Sequence, residues 1–142
     1  MGSLNLTNHR TLTLLLLAAI ASHGCSGSSR TEELHLPYSV PGFDNLTPAG
    51  SIHTPDNELG FYYNFGEPRQ AVAQRMALAL SPAGWTSFGL GSSRLPHFLK
   101  DDLSRTYTRC EIFFYNGAYN PKTRKGEPGS GCWAQITFIN PS

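Results

Sequence analysis

Apolar and polar positions alternate most cleanly at the end of the chain. In "TYTRCEIFFY", residues 106–115, Thr108, Cys110, Ile112 and Phe114 fall on one side of an extended backbone. In "CWAQITFIN", residues 132–140, Cys132, Ala134, Ile136 and Phe138 do the same. A period of two marks a half-buried strand, because successive side chains point to opposite faces. A further strand is predicted over the aromatic stretch "ELGFYYNF", residues 58–65. The pattern then changes. Gly66-Glu67-Pro68 opens a helix, with Pro68 in the first turn, where a missing N–H costs nothing. Val72, Met76, Ala79 and Leu80 recur at helical spacing. The helix stops at Ser81-Pro82-Ala83-Gly84, since Pro82 disfavours helix for the residue before it. Residues 85–90 read as a short strand, 93–105 as loop with a helical turn, and 116–131 as a turn-rich loop. One helix with about four strands predicts an α+β fold of two layers, a small antiparallel sheet with the helix packed on one face.

The start of the chain follows another logic. A polar opening with His9 and Arg10 precedes an apolar run from Leu12 to Ala21, broken only by Thr13. A bilayer-spanning helix needs about twenty apolar residues, so this run is too short to cross and fits the core of an export signal. Ala19-Ile20-Ala21 is an A-x-A cleavage site that would release a soluble chain at Ser22. The next residues, Ser22-His23-Gly24-Cys25 with Ser26-Gly27 behind them, resemble the lipobox of bacterial lipoproteins. That resemblance implies diacylglycerol on the Cys25 thiol, cleavage just before it, and a membrane anchor. In a Gram-negative cell, Ser26 would imply sorting to the outer membrane by that family's rule.

The chain therefore divides into a signal peptide over 1–24, a lipidated Cys25 with a tether or arm over 25–57, and a globular domain over 58–142. Gly, Pro, Ser and Thr dominate the second segment, which is linker chemistry. A flexible chain of that length would reach about 30 Å. Leu34, Leu36, Val40 and Phe43 are apolar for a spacer, and the alternative is that residues 34–43 pack on the domain.

A small domain is short of core, so a staple would matter. The chain has three cysteines. With lipid on Cys25, Cys110 and Cys132 remain as an even pair, and an exported compartment favours a disulfide between them. The loop closed would contribute about 3 kcal/mol. The alternative is two buried thiols. If Tyr115 faced Cys132, Cys110 would stand about 16 Å along the strand, whereas a disulfide needs Cα atoms within about 7 Å.

Catalytic chemistry leaves no signature. His35, His53 and His97 share no metal-ligand spacing, and Asp44, Asp56, Asp101 and Asp102 are the carboxylates within imaginable reach of them. No nucleophile elbow or phosphate-binding loop occurs, and no cofactor is expected. A pocket joining His97 to Asp101 or Asp102 would be the sign of an enzyme. The net charge is only +1. Arg94, Lys100, Arg105, Arg109, Lys122, Arg124 and Lys125 nevertheless crowd into one segment, either as a solvated loop or as a face for anionic headgroups or an acidic partner. A balanced, exported chain argues against nucleic acid.

Tyr62, Tyr63, Phe65 and Trp85 are assigned mainly to the core. Tyr107, Phe113 and Tyr115 occupy the opposite face of their strand from Cys110, with Trp133 and Ile139 across from them. If that face is uncovered, it is a candidate surface for an envelope protein or glycan. The expected function is a lipid-anchored envelope protein with a non-catalytic binding or structural domain. The alternative is a soluble secreted or periplasmic binding or inhibitor module, cut after Ala21.

Overall fold

Two long strands joined as a hairpin carry the architecture. The computed structural model describes residues 35–56, 58–91 and 94–140. The strands are β1 (Gly50–His53), β2 (Leu59–Phe65), β3 (Thr86–Ser87), β4 (Phe98–Asp101), β5 (Arg109–Asn120) and β6 (Lys125–Ile139). Helix α1 (Arg69–Leu80) and a 3-10 turn (Ser81–Ala83) connect β2 to β3. The strands form one open sheet in the order β1-β2-β6-β5-β4-β3, with every neighbouring pair antiparallel. The α+β reading holds, with six strands where about four were expected. The leader, Cys25 and the tether up to residue 34 lie outside the described residues.

The inner face of the sheet is the one the alternation indicated. Ile112, Phe114, Ala134, Ile136 and Phe138 pack with Phe61 and Tyr63 of β2 against Val72, Ala73, Met76 and Leu80 of α1. The helix is 12 residues long, so most of its stability comes from this packing rather than from intrinsic propensity.

Three expectations are corrected. The first is the tether. Residues 35–56 are part of the domain: Val40 and Phe43 are fully buried, and Phe43 meets Tyr63 edge-on at 5.2 Å. Asp44 fastens this turn, its carboxylate accepting from the Val40 N–H at 2.8 Å and the Ser39 hydroxyl at 2.6 Å. Residues 50–53 then pair with β2 as an edge strand. Gly and Pro punctuate the segment, but the apolar side chains between them decide its fate.

The second is the loop. β5 and β6 continue past the expected ends to Asn120 and Lys125, leaving residues 121–124 as the turn. The Asn120 side chain accepts from the Lys122 N–H at 2.9 Å, and its carbonyl accepts from the Arg124 N–H at 2.8 Å. Asn favours such turns because its side chain imitates a backbone acceptor. Residues 93–105, expected to hold a helical turn, instead contain β4, with Phe98 buried.

The third is the disulfide. Cys110 and Cys132 are free and buried. Cys110 stands opposite Phe138, while Cys132 stands opposite Asn116. That offset along β5 is about 20 Å at the strand rise, beyond the roughly 7 Å that a disulfide bridges. Both are apolar filling of the inner face, and burial pushes both thiols above their usual pKa.

Candidate functional site

The outer face of the sheet carries a row of aromatic rings. Tyr115 and Trp133 are direct cross-strand partners, and their rings stack at 4.3 Å. Phe113 continues the row two residues along β5, 6.3 Å from Tyr115 and nearly parallel to it. Such pairs stabilise a hairpin by about 0.2–1 kcal/mol each. Three of the four expected surface residues are thus brought together. Tyr107 is not among them. Its ring lies 5.6 Å from Phe138 and packs against the core, because it precedes β5 and is not bound by the strand's alternation.

Two rings join the row that the pattern assigned elsewhere. Tyr62 stacks on Tyr119 at 4.0 Å, and Tyr119 lies 5.5 Å from Trp133. Tyr119 belongs to the distal arm of the β5–β6 hairpin. A bulge between Asn116 and Ala118 breaks the register there, and the arm bends back over the outer side of β1 and β2. Gly117 makes the bend at φ +97°, where a Cβ would stand 1.9 Å from the Glu127 carbonyl oxygen. Gly126 is a seat for Trp133, since a Cβ there would lie 2.9 Å from the indole. Tyr119 is consequently buried, whereas Tyr115 remains 37% exposed. Burial raises the phenol pKa of Tyr62 and of Tyr115.

The part of this face left open runs along Phe113 and Tyr115, bordered by Glu111, Gln135 and Thr137. Among the described residues the single α-helix packs on the other side of the sheet. Among them also, no helix is long and apolar enough to cross a membrane.

A second feature lies on the helix side. A cleft of about 750 Å³ separates the first turns of α1 from the β3–β4 connection. Arg69, Gln70 and Ala73 form one wall, Leu90 and Gly91 the other, and His97 and Asn116 also line it. A smaller hollow of about 320 Å³ shares Arg69 and His97 and reaches Phe113 and Tyr115. His97 is fixed by its backbone, its N–H donating to Ile112 at 2.8 Å and its carbonyl accepting from Phe88 at 2.9 Å. The imidazole stands edge-on to Phe98 and Phe114, at 4.3 and 5.6 Å. Its Nδ1 is buried without a hydrogen-bond partner. Burial lowers the His97 pKa; the Gly89 carbonyl opposes this, and Arg69 adds to it.

The remaining candidates are dispersed. Neither Asp101 nor Asp102 lines the clefts that hold His97. Asp101 accepts from Arg109 at 2.7 Å, and Asp44 is occupied in its turn. No group of three metal-ligating side chains occurs among the described residues. The basic segment also separates: Arg109 pairs with Asp101 and Glu111, and Lys100 donates to the Ala83 carbonyl at 2.8 Å. Lys122, Arg124 and Lys125 stay together at the tip of the hairpin arm. No family model, curated protein or solved structure matches this chain.

Proposed function

We propose that the chain is a lipid-anchored protein of the bacterial cell envelope. In this reading its domain has a binding rather than a catalytic role, and holds a protein partner through the open part of its outer sheet face. One observation carries the binding reading: Trp133, Tyr115 and Phe113 form a stacked aromatic row on a face without a covering helix among the described residues. The centres of protein interfaces are enriched in Tyr, Trp and Phe and rimmed by polar groups. Glu111, Gln135 and Thr137 would supply that rim. The rings stack on one another, so their flat faces are largely taken and their edges are offered outward. A sugar stacks on a free ring face, which favours a protein surface as the occupant. The anchor rests on Ser22-His23-Gly24-Cys25 and on the apolar run before it.

A photoreactive amino acid at Tyr115 tests the surface, with the same residue at Leu78, 80% exposed on α1, as control. Irradiated cells should yield an adduct of one fixed mass from position 115 alone, and Trp133→Ser in the same chain should abolish it. Equal adducts from both positions, or none, would refute the surface. Retention on purified peptidoglycan that Trp133→Ser removes would make the partner a glycan. The anchor is tested separately. Radiolabelled palmitate should enter the chain and not its Cys25→Ser variant, whereas a mature chain starting at Ser22 would make it the soluble module.

A further inference from the structure

The turn at the tip of the hairpin arm holds one residue in a costly conformation. Arg124 has φ +58°, a left-handed backbone that glycine or asparagine adopts far more easily than arginine. Its N–H donates to the Asn120 carbonyl at 2.8 Å, so the turn itself imposes this geometry. Glycine would close the same turn without the strain. Strain of this kind clusters at functional positions, which turns attention to the side chain.

The side chain belongs to a cluster of cations without counter-charges. Lys122, Arg124 and Lys125 are close neighbours, and every residue from 121 to 130 is exposed. None of the three joins an ion pair among the described residues. Glu127 is the nearest carboxylate in sequence, and the Asn120 amide donates to it at 2.6 Å. The charge of Arg124 reaches the Tyr62 phenol, where it opposes the effect of burial, but a neutral phenol offers no counter-charge. Arg75, Lys100 and Arg109, by contrast, each meet a carboxylate or a carbonyl of the domain. The tip is also braced. Asn120 accepts from the Lys122 and Thr123 N–H groups, and Pro121 lies beside Gly50, where an added Cβ would stand 3.6 Å from it.

We propose that the tip formed by Lys122, Arg124 and Lys125 docks on the surface of an anionic phospholipid membrane. Charge is all that this tip offers. Residues 121–127 carry no apolar side chain besides Pro121, whereas the centre of a protein interface is rich in aromatic rings and poor in Lys. Cationic stems without an apolar anchor suit mobile anionic headgroups, where each Lys or Arg strengthens partition by about fivefold. The contact is electrostatic and superficial, and it turns the arm toward the bilayer. It requires neither lipid on Cys25 nor the partner proposed for Tyr115.

The probes are vesicles of phosphatidylcholine alone and of phosphatidylcholine with about one-third phosphatidylglycerol. The full-length Cys25→Ser chain keeps acyl groups out of the measurement, and the ratio of the two partition coefficients cancels binding through the apolar run near the N-terminus. Cosedimentation in about 0.1 M salt should favour the anionic vesicles by about a hundredfold. In about 1 M salt, where the screening length falls to about 3 Å, the preference should vanish. Lys122→Gln, Arg124→Gly and Lys125→Gln together should remove about a hundredfold of the ratio, and Arg124→Gly alone about fivefold. Arg124→Gly should at the same time keep or raise the urea midpoint, because the turn loses its strain. Arg105→Gln removes an exposed cation beyond the other end of β5 and should change the ratio by less than about twofold. Equal partition into the two vesicles, an unchanged ratio in the triple variant, or as large a loss in Arg105→Gln as in Arg124→Gly would overturn the proposal. Binding to polyglutamate without a preference for anionic vesicles would overturn it in favour of an acidic protein.

Discussion

Asn64 and Tyr119 stand 55 residues apart in sequence and are joined by two hydrogen bonds. The Asn64 amide donates to the Tyr119 carbonyl at 2.9 Å, and its oxygen accepts from the Tyr119 N–H at 2.7 Å. One side chain thus stands in for a strand neighbour. It clamps the hairpin arm onto the outer face of β2 and holds Tyr119 over Tyr62. Asn64→Ala should release the arm and cost about 1–3 kcal/mol for two part-buried hydrogen bonds. Urea unfolding gives the magnitude. Amide exchange at Tyr119 locates it, and protection unchanged in the variant would mean that ring stacking alone holds the arm.

The bend that lets this clamp form depends on Gly117. Its φ of +97° is strained for a side chain, and a Cβ would strike the Glu127 carbonyl. Gly117→Ala should therefore destabilise the domain by about 1–3 kcal/mol. Gly66→Ala, where nothing lies within 4 Å of the added carbon, is the control and should change stability by less than about 0.5 kcal/mol. Equal urea midpoints for the two variants would show that the bulge can relax.

What the pattern disclosed and what it hid have physical reasons. β5 and β6 show period two because one face is core, so Ile112, Phe114, Ala134 and Ile136 were legible. α1 was legible from Val72 and Met76 at helical spacing. The arm was not, since residues 116–131 hold four glycines and two prolines, the usual punctuation of a loop. Only the clamp from a residue 55 positions away makes Tyr119 part of a layer. β1 and β4 are four residues each, too short to show a period. The sequence did place Phe113, Tyr115 and Trp133 on one surface, but could not supply Tyr62 and Tyr119. Nor could it show that Arg69 and His97, 28 positions apart in sequence, line one cleft.

Phe43 measures how far the domain extends toward the N-terminus. It is fully buried against Tyr63, Phe65 and Phe114. Phe43→Ala should cost about 3–5 kcal/mol, as for other large core deletions. Calorimetry or urea titration reads this directly. A loss below about 1 kcal/mol would return residues 35–56 to the status of a loose arm.

Reduction should leave stability where it is. Cys110 and Cys132 lie too far apart along the sheet to bond, so dithiothreitol should not move the melting temperature. Both should also resist alkylation in the native state, because reaction needs the thiolate and burial disfavours it. In urea both should label completely. A mass two units below the fully reduced value, restored by reductant and mapped by peptide digestion to Cys110 and Cys132, would place the strands in another register.

Acid should weaken the fold through His97. Burial lowers its pKa from the ordinary 6.5, with Arg69 acting the same way. The Gly89 carbonyl acts against that shift, and Phe98 and Phe114 close the ring's other sides. Because the folded pKa is depressed, the unfolded chain binds the extra proton first as pH falls below about 6.5. Stability is therefore full above that value and declines with falling pH until the folded group itself protonates. Urea midpoints at half-unit steps from pH 7.5 to pH 4.5 should show this slope, and His97→Asn should remove its upper part. Imidazole shifts from NMR give the folded pKa independently. A value of 6.5 would leave His97 without a contribution, and one above it would reverse the sign.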